Sequence, residues 1–185
     1  MPRVSESHLE ARRRQILDAA RTAFARFGFE GATVRVLEEG AGLSRGAIFH
    51  HFEDKDALFL ALAEADVQQM AETVAAHGLV QVMRELIARP DDGWLGTQLE
   101  ISRRLRTDAG FRDTWAQRSS PVAVATRERL RRQRDAGKLR TDVDIEVLAS
   151  YLELVLEGLV THLAAGLPAD RFSAVLDLVE SSVRC

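Results

Sequence analysis

The sequence has little of what several large protein classes require. Only one of its 185 residues is cysteine, Cys185, so a disulfide framework is excluded and we expect a reducing, cytoplasmic location. Four prolines and twelve glycines leave few helix breakers, which disfavours an all-β sandwich or barrel. Uninterrupted apolar stretches such as 58–63 are short, and residues 1–8 lack the apolar core of a signal peptide. We therefore expect no membrane partner.

Motifs that carry enzyme chemistry are also missing. The sequence contains no Gly-rich phosphate loop, no nucleophile elbow and no His and Cys set at metal-binding spacing. His50 and His51 are adjacent, but neighbouring helical residues point about 100° apart and cannot easily share one ion. We therefore expect neither an enzyme nor a required cofactor.

What is present predicts an all-α fold of about nine helices. The chain is 46% apolar and 29% charged, and its apolar residues recur at helical spacing, as Ile16, Ala20, Phe24 and Phe27 do. The predicted helices are 9–27, 33–39, 45–51, 54–76, 79–89, 94–106, 111–134, 145–163 and 172–183. Helix 145–163 is apolar nearly all round, which predicts burial on more than one side.

The charge and the helix pattern divide the chain near residue 53. Residues 1–52 hold 8 Lys and Arg against 6 Asp and Glu, a net charge of +2, whereas residues 53–185 have a net charge of −5. The small positive net charge of residues 1–52 is a weak indication of a polyanion partner. We predict a first domain over 1–53 and a second over 54–185.

The first domain has the pattern of a helix-turn-helix. Gly28 is the predicted C-cap of the first helix, Thr33, Ser44 and Asp54 are predicted N-caps, and 40–43 is a tight turn. In such a unit the second helix of the pair enters the major groove of double-stranded DNA with its N-terminal residues. Here that helix starts with Ser44, and Arg45 can present two donors to guanine.

Other residues near this helix suit the DNA backbone. Gly46 and Ala47 are small enough to let the backbone approach DNA, while Ile48 faces the core. Thr33, Lys55, His50 and His51 are placed to hold phosphates. Taken singly, a residue such as Arg45 is more often a solvated charge, so the argument depends on the set.

As a set, these residues resemble the N-terminal signature of the TetR family of transcriptional regulators. The resemblance rests on 14–20, Phe24, 28–29, 32–34, 41–44, 46–52 and 55–58 of this sequence. It implies a homodimer whose last two helices form a four-helix interface, with a three-helix domain that binds a near-palindromic operator. A second helical domain would sense a small ligand.

Two positions depart from the family pattern. Glu38 stands where the family usually has Ala, and a carboxylate there needs solvent or a partner. Phe49 stands where the family usually has Tyr, so it lacks a hydroxyl for phosphate, which His51 or Arg35 can replace. These departures also fit a helical adaptor that has lost DNA binding.

The second domain carries charges on helices that otherwise look buried, and few aromatics, at 6% of the chain. Buried charges are rare unless paired, a polycarboxylate suits arginine, and a hard divalent cation suits carboxylate oxygen. We predict an effector site at Arg129 and Glu180, with Glu180 as the metal ligand. Glu100, Arg103 and Glu157 are second choices. Each of these residues could instead form a structural ion pair.

A narrower resemblance covers nearly the whole chain, to the actinobacterial repressors of aconitase genes within this family. It rests on 45–52, 58–63, 100–102, 105–108, 140–143, 145–148 and 175–180. It implies repression of an aconitase gene and a response to citrate bound with a divalent cation such as Mg²⁺, with Arg129 and Glu180 at the ligand site. The rival hypothesis is a sensor of a small apolar effector that controls a neighbouring gene, such as one for an efflux pump.

Overall fold

The computed structural model describes residues 6–90, 92–118 and 120–184, so Cys185 lies outside the described residues. Within these ranges the chain is helical, with one isolated antiparallel bridge between Leu139 and Arg184. The helices are α1 Glu6–Gly31, α2 Val34–Ala41, α3 Arg45–Phe49, α4 Lys55–His77, α5 Leu79–Ala88, α6 Asp92–Thr107, α7 Ala109–Arg118, α8 Ser120–Asp135, α9 Ile145–Ala164 and α10 Phe172–Val183. The all-α prediction is confirmed.

One predicted helix is in fact two. The segment 111–134 was expected to be continuous, but α7 ends at Arg118 and α8 begins at Ser120. Pro121 is the second residue of α8, where its missing N–H and fixed φ are tolerated, whereas inside a longer helix its ring would clash with the preceding turn. The described part of the chain therefore contains ten helices.

The chain forms two compact units. Unit 1 comprises Met1–Ala65 and Asp92–Asp108, and unit 2 comprises Asp66–Asp91 and Ala109–Cys185. The division falls within α4, and α6 belongs to unit 1 although it follows α5 in sequence. The functional boundary at residue 53 stays a prediction.

The core of unit 1 forms around α1. Ile16, Ala20 and Phe24 are buried, and the ring of Phe24 meets that of Phe59 edge to face at 5.0 Å. Gly28 interrupts the helix with φ of 66°, close to the predicted end. Phe27, predicted on the buried face, is the last residue before this kink and is 46% exposed.

The core of unit 2 includes Val74, Met83, Ala149 and Leu176, all at most 2% exposed. Helix α9 was predicted to be buried on more than one side, but this is wrong for the single chain. One face of α9 lies in the core through Leu148, Leu152 and Leu159, whereas Leu154 on another face is 67% exposed. An apolar helix face exposed in this way is typical of an interaction surface.

Among the described residues, α9 is also the one helix long and apolar enough to cross a membrane by length and composition. The core helix of a helical bundle has the same composition. The expectation of no membrane partner therefore stays a prediction.

Candidate nucleic-acid interface and effector cavity

The turn that presents α3 is held by hydrogen bonds at both ends. Gly42 adopts the left-handed conformation with φ of 63° at the end of α2, and its N–H donates to the Glu38 carbonyl. The Ser44 hydroxyl accepts from Ala47 N at 3.3 Å at the start of α3. The Gln15 amide of α1 donates to the Ala41 carbonyl at 2.8 Å. These hydrogen bonds therefore hold the end of α2 against α1 and define the start of α3.

Helix α3 buries one residue and exposes its start. Ile48 is fully buried, as predicted, while Arg45 and Gly46 are exposed. A Cβ placed on Gly46 would meet nothing within 4 Å, so packing inside the protein does not require glycine there. The N-terminal end of α3 is thus available to a large partner.

Four of the predicted DNA-contacting residues, Gly46, Ala47, His50 and His51, line a groove between α1 and α3. This groove has a volume of about 430 Å³ and is lined by His8, Leu9, Arg12, Gly46, Ala47, His50 and His51. The imidazole rings of His50 and His51 meet edge to face with centroids 5.6 Å apart. Phe49, half-buried on α3, presents no polar atom. The groove therefore brings basic and small residues to one concave face.

Three of the predicted phosphate ligands already have partners within the protein. Arg35 Nε donates to Glu39 Oε1 at 2.8 Å, and this hydrogen bond raises the pKa of Arg35. Such an exposed pair contributes little stability and is readily exchanged for another anion. Lys55 Nζ donates to the Phe29 carbonyl at 2.9 Å and lies 4.3 Å from the Phe29 ring centroid. Its two other donor positions can still face a phosphate. Thr33 caps α2 through Val36 N at 3.4 Å.

A cavity of about 610 Å³ lies within unit 2, between the end of α4 and helices α5, α8, α9 and α10. Its charged and titratable lining residues among those described are His77, Arg84, Arg129, Lys138, Glu180 and Arg184. Four of these carry a fixed positive charge and one is a carboxylate. The described lining includes no Phe, Tyr or Trp. The cavity therefore suits a small anion better than an aromatic drug.

Arg129 and Glu180 both line this cavity, as the predicted pair requires, but each is held by other groups. Arg129 Nη1 donates to the carbonyls of Ala75 at 3.1 Å and Ala76 at 2.8 Å, at the end of α4. Glu180 accepts from Arg84 Nη2 at 2.9 Å and also from Arg184. The two residues therefore line the same cavity but belong to separate hydrogen-bonded groups.

The sequence pattern missed Arg84 and Lys138 as cavity residues. Arg84 binds Asp177 at 2.7 Å as well as Glu180, and these hydrogen bonds raise its pKa. Arg84 lies 45 residues before Arg129, and Lys138 lies beyond the end of α8, so helical spacing could not associate either with Arg129. The arginines at 127–132 do not all face the cavity. Arg129 lines it, whereas Arg127 and Arg131 pair with Glu146.

The second-choice effector residues do not line this cavity. Glu100 is buried on α6 in unit 1, where it accepts from Arg103 at 2.6 Å. The pair serves the packing of unit 1, with Glu100 Oε2 3.4 Å from where a Cβ on Gly28 would lie. Glu157 is exposed on α9. Helix α6, which follows the predicted boundary at residue 53, packs with α1 in unit 1.

Glu180 is the one carboxylate among the described cavity residues, so it would be the protein ligand of the predicted divalent cation. No group of three or more His, Cys, Asp and Glu side chains able to hold a metal occurs within the described ranges. Divalent Mg²⁺ prefers six oxygen ligands and usually binds proteins through one or two carboxylates together with ligand oxygens and water. The residues present therefore fit a metal only where a bound anion supplies further oxygens.

A second, smaller cavity of about 190 Å³ lies between α9 and α10. Its lining is mostly apolar: Val155, Gly158, Leu159, His162, Phe172, Val175 and Leu176. His162 Nε2 lies 3.0 Å from the Pro168 carbonyl, and its ring meets Phe172 edge to face. This cavity has the chemistry that an apolar effector needs.

Known proteins with similar sequences cover the whole chain. Residues 16–62 match the family described as bacterial regulatory proteins, tetR family. The HTH-type transcriptional repressor Rv1474c of Mycobacterium tuberculosis is 57% identical over 185 residues, covering 100% of this chain and 99% of that protein. The HTH-type transcriptional repressor AcnR of Corynebacterium diphtheriae is 54% identical over 185 residues, covering 100% and 97%.

Solved structures share the fold at low sequence identity. Salmonella enterica GusR superposes with a TM-score of 0.75 at 20% identity, over 98% of both chains. FadR from Bacillus subtilis in complex with stearoyl-CoA gives a TM-score of 0.74 at 20% identity, over 92% of this chain and 98% of that one. Together with the relatives, these similarities show that the chain belongs to the TetR family and is a DNA-binding transcriptional repressor, not an enzyme.

Proposed function

We propose that this repressor binds a near-palindromic operator as a homodimer and places α3 of each protomer in the major groove. The exposed start of α3 supports this more than any other observation, because Arg45 and Gly46 are free of the core while Ile48 anchors the helix. Arg45 then donates to guanine, and Ser44, Gly46, Ala47 and Phe49 follow the groove. Thr33, Arg35, His50, His51 and Lys55 contact the flanking phosphates.

An Arg45→Ala variant tests this assignment. Operator duplexes are selected from random oligonucleotides with the wild-type protein, and affinity is measured by fluorescence anisotropy at fixed salt. Loss of a bidentate guanine contact in each half-site predicts weaker binding by about tenfold or more. Arg26→Ala, which removes an exposed charge near the other end of α1, serves as the control. Unchanged binding of Arg45→Ala would place the groove contact elsewhere.

The dimer that we propose forms through α9 and α10. Large apolar side chains are exposed on these two helices: Val147 58%, Tyr151 37%, Leu154 67%, Val175 42% and Leu178 70%. Two copies of such a surface cover each other across a two-fold axis. A two-fold dimer can place its recognition helices about 34–36 Å apart, in successive major grooves.

We propose citrate, bound with a divalent cation such as Mg²⁺, as the effector and an aconitase gene as the target. The relatives named AcnR support the target. The cavity charge supports the effector, since Arg84, Arg129, Lys138 and Arg184 can neutralise three carboxylates. Glu180 is the protein carboxylate available to the cation.

Arg129 couples the cavity to the helix that follows α3. Its guanidinium holds the last carbonyls of α4, and α4 begins at Lys55, close after α3 in the chain. An anion that draws Arg129 into the cavity removes this cap from α4. The ligand thereby favours a conformation with lower operator affinity, as a shift between two states.

Isothermal titration with citrate and Mg²⁺ tests the effector. We expect heat of binding with the wild type and its loss in Arg129→Ala. Arg131→Ala is a matched control, since Arg131 lies on the same helix and pairs with Glu146 outside the cavity. Absence of heat with the wild type would remove the tricarboxylate while leaving the repressor intact.

The apolar cavity between α9 and α10 supports a second candidate effector. A fatty or other small apolar ligand would fill it, and the repressor would then control a neighbouring gene such as one for an efflux pump. Leu159→Trp would close this cavity without touching the larger one. If a collection of apolar ligands shifts the melting temperature of the wild type and citrate does not, this candidate replaces citrate.

A further inference from the structure

Glu38 occupies a special place in the turn between α2 and α3. Its Oε1 accepts the backbone N–H of Arg45 at 2.6 Å, seven residues ahead. Its carbonyl accepts the N–H of Gly42 and that of Leu43, the latter at 3.2 Å. One residue therefore holds the end of α2 through its backbone and the start of α3 through its side chain.

Helix α3 depends on such help because it is short. It spans five residues, Arg45–Phe49, and the first amides of any helix lack partners within the helix. Ser44 satisfies the Ala47 amide, and Glu38 satisfies the Arg45 amide. A carboxylate near a helix N-terminus also interacts favourably with the helix dipole. The Glu38 hydrogen bond is charge-assisted and short, so it restricts where α3 begins.

The same carboxylate has an unfavourable effect on DNA. A negative charge beside the recognition helix repels the phosphate backbone, which dominates non-specific affinity. Charge alone therefore predicts that removing Glu38 tightens binding to every duplex. If Glu38 instead positions α3, its removal should weaken binding to the specific operator. The two roles therefore predict changes of opposite sign in operator affinity.

We propose that Glu38 is a positioning residue for operator recognition, which sets the start of α3 and thereby the direction of Arg45. This inference rests on the proposed role of α3 as the recognition helix. The carboxylate contributes to discrimination between operator and other DNA, and it does so without contacting DNA itself.

The test compares Glu38→Ala with Glu38→Gln, using a duplex selected from random oligonucleotides by the wild-type protein and a scrambled duplex of equal length. Glu38→Ala is expected to lower the ratio of operator to scrambled affinity about tenfold, on the scale of a lost helix cap. Glu38→Gln keeps an acceptor without the charge, so its ratio stays within about threefold of the wild type. Glu39→Gln is the charge control, since it removes one charge on the same helix and leaves the Arg45 amide bonded.

A measurement without DNA separates this inference from the role of α3. Hydrogen exchange at the Arg45 amide should accelerate at least tenfold in Glu38→Ala and stay near the wild-type rate in Glu38→Gln and Glu39→Gln. The inference is overturned if Glu38→Ala keeps its operator ratio, or if Glu38→Gln falls as far as Glu38→Ala. Failure of the wild type to select any duplex would instead overturn the proposed function.

Discussion

The turn before α3 and the cavity of unit 2 are both rich in polar contacts, but the contacts differ in the sequence separation of the residues that they join. In the turn, Glu38 and Ser44 bind amides seven and three residues away. In the cavity, Arg129 binds a carbonyl 54 residues away and Arg84 binds Glu180 96 residues away. Local backbone contacts make a rigid element for presenting side chains. Long arginine side chains make contacts that a ligand anion can replace.

The exposed faces of α9 and α10 allow the largest predicted effect. We expect Leu154→Arg with Leu178→Arg to yield a monomer, because charge replaces the two most exposed large apolar residues of these helices. Operator affinity should fall by about two orders of magnitude or more, since the second half-site no longer adds to the first. Sedimentation and anisotropy measure the two effects.

Val124→Arg controls for added surface charge, since Val124 is 50% exposed on α8. A double variant that remains dimeric would show that the protomers meet elsewhere.

The next largest predicted effect is on stability, and it comes from the close packing of α6 on α1 in unit 1. A Cβ on Gly96 of α6 would lie 2.7 Å from the Ala25 Cα of α1, so the two backbones must separate. We expect Gly96→Ala to lower the free energy of unfolding by about 1–3 kcal/mol, measured by urea denaturation. Gly46→Ala, with open space around it, should leave stability unchanged or slightly raised. Equal stability of Gly96→Ala and wild type would mean that α6 does not pack tightly on α1.

A substitution at Gly78 should have a smaller effect on stability than Gly96→Ala, but it should also prevent ligand binding in the cavity. Its φ is 93°, and a Cβ there would lie 2.8 Å from Arg129 Nε, the flexible side chain that can move away. We expect Gly78→Ala to cost about 1 kcal/mol from backbone strain and to abolish citrate binding in calorimetry. Gly166→Ala imposes similar strain at φ of 65° in open space, and its citrate binding should persist. Loss of binding in both variants would mean that strain, rather than Arg129, is responsible.

The smallest effect concerns pH and the loop before α9. Hydrogen bonding to Arg140 lowers the pKa of Asp142 to about 2 from 3.8. Because the folded pKa is lower than the unfolded one, this pair stabilises the protein above pH 4, and the contribution disappears as the pH falls towards 2. The difference in unfolding free energy between wild type and Asp142→Asn should therefore shrink across this range. A difference that stays constant between pH 5 and 2.5 would contradict the pairing in solution.

The same difference in sequence separation explains which contacts could be predicted from the sequence. Thr33, Ser44 and Asp54 cap helices because their side chains bond amides three residues ahead, which sequence spacing predicts directly. The predicted TetR resemblance and the all-α fold are confirmed. Pro121, the second residue of α8, is a sequence signal for the break between α7 and α8.

The cavity could be predicted only in part. Arg129 and Glu180 were singled out from charge on apolar helices and from resemblance, and the structure places both on one cavity. Arg84 and Lys138 carried no such signal, because tertiary packing brings them to the same cavity. Glu100 and Arg103 carried the same charge signal, yet they form a pair inside unit 1.

Operator titrations with and without citrate and Mg²⁺ test the link between cavity and DNA most directly. Wild type and Arg129→Ala are each titrated with the selected duplex at fixed salt. We predict that the ligand weakens operator binding by the wild type at least fivefold, a typical allosteric coupling of about 1 kcal/mol. Arg129→Ala should bind DNA without ligand and show no change when ligand is added. An equal response of the two proteins, or none in the wild type, would contradict this mechanism.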